Sequence, residues 1–136
     1  MSRAVLIEGY AAVFGQADQI GDCVRAGAFS RSLRGGVSIP MLLQHKPAAR
    51  VGRWTRLIED GRGLFVRGLV ESAGAITLID RGLDGLSIGF RPRLARPRVG
   101  EGRDLIDLEL VEISLVAHPM QTAARFGVPA KRSRAA

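Results

Sequence analysis

The sequence predicts a single mainly β or α+β domain, a small closed or half-closed barrel with one or two short flanking helices. Three observations carry that expectation. Apolar residues fall in short runs, several of them alternating with a period of two, and many of the 17 glycines stand singly between the runs as turn signals. Spacings of three and four, the mark of a helix, recur in very few places. At 136 residues, with 46% apolar and 24% charged side chains, the chain suits one core, and neither a linker nor an internal repeat divides it.

Taken in order, residues 4–14 carry Val5, Ile7, Tyr10, Val13 and Phe14 between small residues and read as a strand, with a bulge expected at Gly9. Residues 15–23 read as a loop. Residues 30–33 make a helical turn at most, closed by Gly35 and Gly36. A second strand over 37–43 is interrupted by Pro40, which places that position at an edge or bulge, and His45 lies just past its end. Residues 51–58 and 64–70 form a hairpin about the turn Glu59-Asp60-Gly61-Arg62. Between 72 and 82 the spacing of Ala75, Ile76, Leu78, Ile79 and Leu83 predicts a short helix with Gly82 near its end. Leu86, Ile88 and Phe90 then alternate with Ser87, Gly89 and Arg91, a strand whose apolar face looks into the core. A loop rich in Pro, Arg and Gly follows, and residues 104–116 make the last long strand. Helices do not alternate with strands, and the glycines never take a dinucleotide or phosphate-loop spacing, so a Rossmann fold is disfavoured.

Composition excludes some classes of function. No run approaches the roughly 18 consecutive apolar residues of a membrane helix, and the start Met1-Ser2-Arg3 is not that of an export signal, so a soluble, unexported chain is expected. Cys23 is the single cysteine, which allows no internal disulfide and reads as a small buried hydrophobe. The net charge of +7 comes mostly from arginine, concentrated at Arg91, Arg93, Arg96, Arg98 and Arg103 and in the tail at Arg125, Lys131, Arg132 and Arg134. With only 5% aromatic residues the stacking platforms of single-strand binders are missing, so a solvated or partner-facing surface is favoured over a nucleic-acid site.

Candidates for chemistry are few. His45 and His118 are the only histidines, and with Cys23 they show no metal-ligand spacing. Ser87, within Gly85-Leu86-Ser87-Ile88-Gly89-Phe90, presents a hydroxyl from a rigid strand with space beside it at Gly89. By spacing alone a solvent-facing or cross-strand serine is the plainer reading, and the pattern lacks the helix that follows a hydrolase elbow. Glu112, in Leu110-Val111-Glu112-Ile113-Ser114-Leu115-Val116, is an acid inside an apolar strand: either an outward charge at an edge or a partly buried acid with an assigned partner, as the orienting member of a triad is. Asp107 and Glu109 are weaker competitors on the same strand.

Five motifs in order together resemble the phage prohead maturation proteases. They are Gly9-Tyr10-Ala11-Ala12-Val13-Phe14, Leu43-Gln44-His45-Lys46-Pro47 followed by Val51-Gly52, Gly63-Leu64-Phe65-Val66, Gly85 to Phe90, and Glu112 to Val116 followed by Pro119-Met120. The resemblance covers about Gly9 to Ala123. It implies a small assemblin-like β-barrel, as in the herpesvirus proteases, with nucleophile and base on barrel strands. Carried over residue by residue, it makes Ser87 the nucleophile and His45 the base, on adjacent strands and within hydrogen-bond reach. The third member falls on the last strand, where assemblins use a second histidine and phage relatives an acid; Glu112 is the choice and His118 the rival. No cofactor and no metal is implied.

The same resemblance implies a serine endopeptidase that cuts the scaffold segment of the major capsid protein, and itself, in the procapsid of a tailed phage or gene-transfer-agent-like particle in the host cytoplasm. Its expected partners are the major capsid protein with its scaffold segment and, in a homodimer or higher oligomer, copies of itself. The protease domain is expected over 1–124, with 125–136 a flexible basic tail dispensable for catalysis; a longer targeting tail is expected to be absent or reduced. Two other readings remain open at this point: a non-enzymatic capsid or scaffold component that keeps the fold, and a basic nucleic-acid-binding module.

Overall fold

Alternating buried positions shape the first strand, β1 (Val5–Val13), in a computed structural model that describes residues 3–36 and 38–129. The chain continues through β2 (Cys23–Val24), α1 (Ser30–Arg34), β3 (Pro40–Leu43), β4 (Lys46–Glu59), β5 (Gly63–Val70), α2 (Ala73–Asp80), β6 (Gly85–Pro97), β7 (Arg103–Val116) and β8 (Phe126–Gly127). The strands form one open sheet in the order β2-β7-β3-β4-β5-β1-β8, with β6 also paired to β7.

β7 organises the sheet. β6 runs antiparallel along its length, while β2 and β3 lie parallel to it near its start and its end. The sheet curls until β1 comes close to β6 without a ladder between them, which leaves a seam. One end of the seam is stapled: the Leu86 amide donates to the Ala124 carbonyl and the Phe126 amide to that of Asp84 (both 2.9 Å), while β8 pairs with β1. Ile7, Phe29, Met41, Leu86, Ile113 and Leu115 fill the interior and are almost wholly buried. The helices cap the edges. Ser72 accepts a hydrogen bond from the Ala75 amide at the start of α2, and the Glu59 carboxylate accepts from the Gly27 and Phe29 amides and from Ser30 Oγ beside α1.

The structure corrects several expectations. Gly9 is not the bulge, which falls between Tyr10 and Ala12; a glycine stands at position 9 because the Arg125 backbone of the β8 segment covers it where a Cβ would lie. β4 begins at Lys46, directly after the turn, and β6 continues to Pro97 through what reads as a Pro- and Arg-rich loop. Pro92 and Pro97 are tolerated there because, past its start at Gly85 and Leu86, β6 pairs among the described residues with β7 alone and has a free edge. The domain boundary at 124/125 also moves. Phe126 is buried in the core and pairs with Gly9, and Arg125 bonds Asp84 at 2.7 Å, so this segment belongs to the domain; 130–136, the rest of the expected tail, lie outside the described residues.

Asp22, 4% exposed, joins the loop before β2 to the start of β7 by accepting from the Arg103 amide at 3.0 Å and from its guanidinium at 2.8 Å. The Arg103 hydrogen bonds hold this carboxyl below the usual carboxylate range, against the opposing effect of burial. A depressed folded-state pKa contributes stability above the unfolded value of about 3.9 and loses it as pH falls through the folded value. Asp22→Asn is therefore expected to lower stability by about 1.5–3 kcal/mol at pH 7. In denaturant titrations that gap should close as the pH falls below about 4.

Candidate active site

Ser87 on β6 stands directly opposite Ser114 on β7, and Gly89 opposite Glu112. Residues paired across a sheet point to the same face, so these four positions share one face near the free edge of β6. The space beside Ser87 that the sequence ascribes to Gly89 is filled: the Glu112 carboxylate lies over Gly89 where a Cβ would be. Glu112 is thus the buried, partnered acid, 9% exposed, rather than an outward charge. Gly89→Ala is expected to push that carboxylate aside and slow any reaction that depends on it about 100-fold, as a misplacement of about 1 Å does. Measured thermal stability and active-serine labelling of the same sample would separate this displacement from unfolding.

His45 sits in the two-residue turn between β3 and β4. Gln44 and His45 both have positive φ, 54° and 61°, as in a type I′ hairpin, although neither is the Asn or Gly such turns favour. Left-handed backbone costs about 1–2 kcal/mol for such residues, and contacts with the end of β7 offset it. The Gln44 amide donates to the Leu115 carbonyl at 2.9 Å, the Ala117 amide donates to Gln44 Oε1 at 2.8 Å, and the His45 amide donates to Ser114 Oγ at 3.1 Å. So anchored, the imidazole places Nδ1 at 2.5 Å from Glu112 Oε2. Ser114 Oγ donates to the other carboxylate oxygen, Oε1, at 2.7 Å. With Nδ1–H given to Glu112, Nε2 is free to accept a proton.

The expectation that His45 and Ser87 lie on adjacent strands needs correction. β7 runs between β3 and β6, and His45 belongs to the turn beyond β3. Among the described residues no hydrogen bond joins Ser87 to His45; both residues line one cavity of about 220 Å³ in the β1–β6 seam. Its walls are mostly apolar, from Ala11, Ala12, Val24, Leu86, Ile88 and Leu105, and Ile20 and Met120 are exposed at its rim. Contacts between nucleophile and base are commonly looser before substrate binds. His118 is exposed in the turn after β7 and is not part of this lining. Ser114, fully buried, is the residue that sequence reasoning passed over, because a serine in an apolar strand gives no sign of its partners.

Other features bear on the alternative readings. Much of the arginine cluster is paired: Arg91 with Glu109, Arg93 with Asp107, Arg98 with Asp104 and Arg103 with Asp22. Charge neutralised in this way leaves less for a phosphate backbone. Cys23 is a buried free thiol. Among the described residues no group of three or more His, Cys, Asp or Glu side chains is placed to hold a metal ion, and no helix is long and apolar enough to cross a membrane.

The chain is similar in sequence and in fold to known viral proteases. A family described as caudovirus prohead serine protease matches residues 2–135. The prohead protease of Enterobacteria phage HK97 is 38% identical over an alignment of 93 residues that covers 62% of this chain and 41% of that protein, so the chain matches under half of the relative's length. Among solved structures, the KSHV protease in complex with a hexapeptide phosphonate inhibitor aligns with a TM-score of 0.61 at 15% identity, over 98% of this chain and 69% of that one. The varicella-zoster virus protease aligns with a TM-score of 0.63 at 16% identity, over 92% and 64%. At such identity the likeness to the herpesvirus proteases is one of fold.

Proposed function

Since the chain belongs to the caudovirus prohead serine protease family, we propose that it is a serine endopeptidase that removes the scaffold segment of the major capsid protein, and cuts itself, within the procapsid in the host cytoplasm. The observation that carries the reading is His45, held by Glu112 and Ser114 behind it, on the lining of the cavity that Ser87 also lines. In this mechanism Ser87 Oγ attacks a scaffold peptide carbonyl and passes its proton to His45 Nε2. His45 returns the proton to the leaving amine as the C–N bond breaks, which leaves an acyl ester on Ser87. Water, deprotonated by the same nitrogen, then hydrolyses the ester and restores the serine. Glu112 holds the Nδ1 tautomer throughout and stabilises the imidazolium that forms in each half-reaction. The apolar seam beside Ser87 suits a substrate side chain.

Co-expression with the major capsid protein of the same particle tests the proposal. The capsid protein should be shortened at its scaffold segment, as read by intact mass, and should keep its full length beside Ser87→Ala. Shortening that persists with the variant would assign the cut to another protease.

A further inference from the structure

Ser114 occupies a place that neither packing nor the expected triad explains. It is 0% exposed, lies on the same face as Glu112 two residues along β7, and faces Ser87 across the β6–β7 pair. Its hydroxyl is used in two directions: it donates to Glu112 Oε1 at 2.7 Å and accepts from the His45 amide at 3.1 Å. We propose that Ser114 is a positioning residue that locks the carboxylate of Glu112 to the backbone of His45, so that the acid and the turn bearing the base are held as one unit. This role rests on the reading of Ser87 as nucleophile and His45 as base.

Three features support the role. The carboxylate has two oxygens, and each has a different partner, His45 Nδ1 on Oε2 and Ser114 on Oε1; losing the second frees the group to rotate about the first. His45 has positive φ, a backbone state that its own residue type does not favour, and its amide is tied down only by Ser114 among the described contacts. Burial then prevents water from replacing the hydroxyl. Ser114 is not itself the nucleophile, because it is wholly enclosed, whereas Ser87 is half-buried and lines the cavity.

The test is the maximal rate of serine labelling by a fluorophosphonate, measured in the intact chain together with its half-saturating concentration and its thermal midpoint. Ser114→Ala should lower the maximal rate about 10- to 100-fold, the range expected for a hydrogen bond to a charged group, with half-saturation unchanged. Ser114→Thr, which keeps the hydroxyl, should retain most of the rate. In a Glu112→Gln background Ser114→Ala should cost almost nothing further, because the two residues act through the same imidazole. An unchanged rate in Ser114→Ala, or the same loss in both backgrounds, would overturn the positioning role. A crystal structure of Ser114→Ala decides the linkage without reference to activity: the His45–Glu112 contact should open or the turn should shift, and an undisturbed contact would refute the proposal even with proteolysis intact. Absence of labelling in the unmodified chain would instead count against the protease reading.

Discussion

Replacing Ser87 by alanine should reduce proteolysis by on the order of 10⁶-fold, the scale on which loss of a nucleophile removes covalent catalysis. The fold should tolerate the change. Ser87 is half-buried on a strand whose ladder to β7 uses backbone groups, and no hydrogen bond of its hydroxyl is among those described, so the substitution removes no structural partner. Fluorophosphonate labelling should vanish while the thermal midpoint stays within a few degrees of the unmodified protein. Label retained on another residue of the variant would show that Ser87 is not the reactive serine. Ser114, the nearest rival by register, is enclosed and committed to Glu112.

Glu112→Gln should cost about 10²- to 10⁴-fold, less than Ser87→Ala. Glutamine keeps the shape of the side chain but removes the charge that favours imidazolium, and an amide NH₂ turned toward Nδ1 selects the wrong tautomer. The loss should fall on the maximal rate, because Glu112 is on the far side of the imidazole from the proton that Nε2 receives. His118→Ala should leave the rate unchanged, since His118 is exposed and apart from the cavity. Full activity in Glu112→Gln, together with loss in His118→Ala, would transfer the orienting role to the histidine.

Much of this was legible in the residues. The period-two run around Ser87, the hairpin about Asp60, the helix closed before Gly82 and the acid within an apolar strand each left a local signature, and the structure has them as β6, the β4–β5 pair, α2 and Glu112. What escaped is non-local. β2 and β8 are two residues long, too short for any periodicity, and exist because β7 and β1 offer them partners. The Gln44–His45 turn lacks the glycine or asparagine that announces such turns and is held from outside by Leu115, Ser114 and Ala117. The length of β6 was hidden by prolines that only a free edge permits. The purpose of Gly89 became visible only with the carboxylate above it.

The dependence of the site on β7 bears on when, during synthesis, the site can form. His45 and Glu112 are 67 residues apart in sequence, and the parallel pairing of β3 with β7 requires that whole span. A nascent chain that already displays His45 and Ser87 still lacks the strand that carries the acid, anchors the turn and lies between β3 and β6. Contacts of such long range also form late and slowly once the chain is free. The order of synthesis is therefore also an order of assembly: His45 and Ser87 emerge in turn, and the Glu112–His45 arrangement forms only after β7 has been made and has inserted.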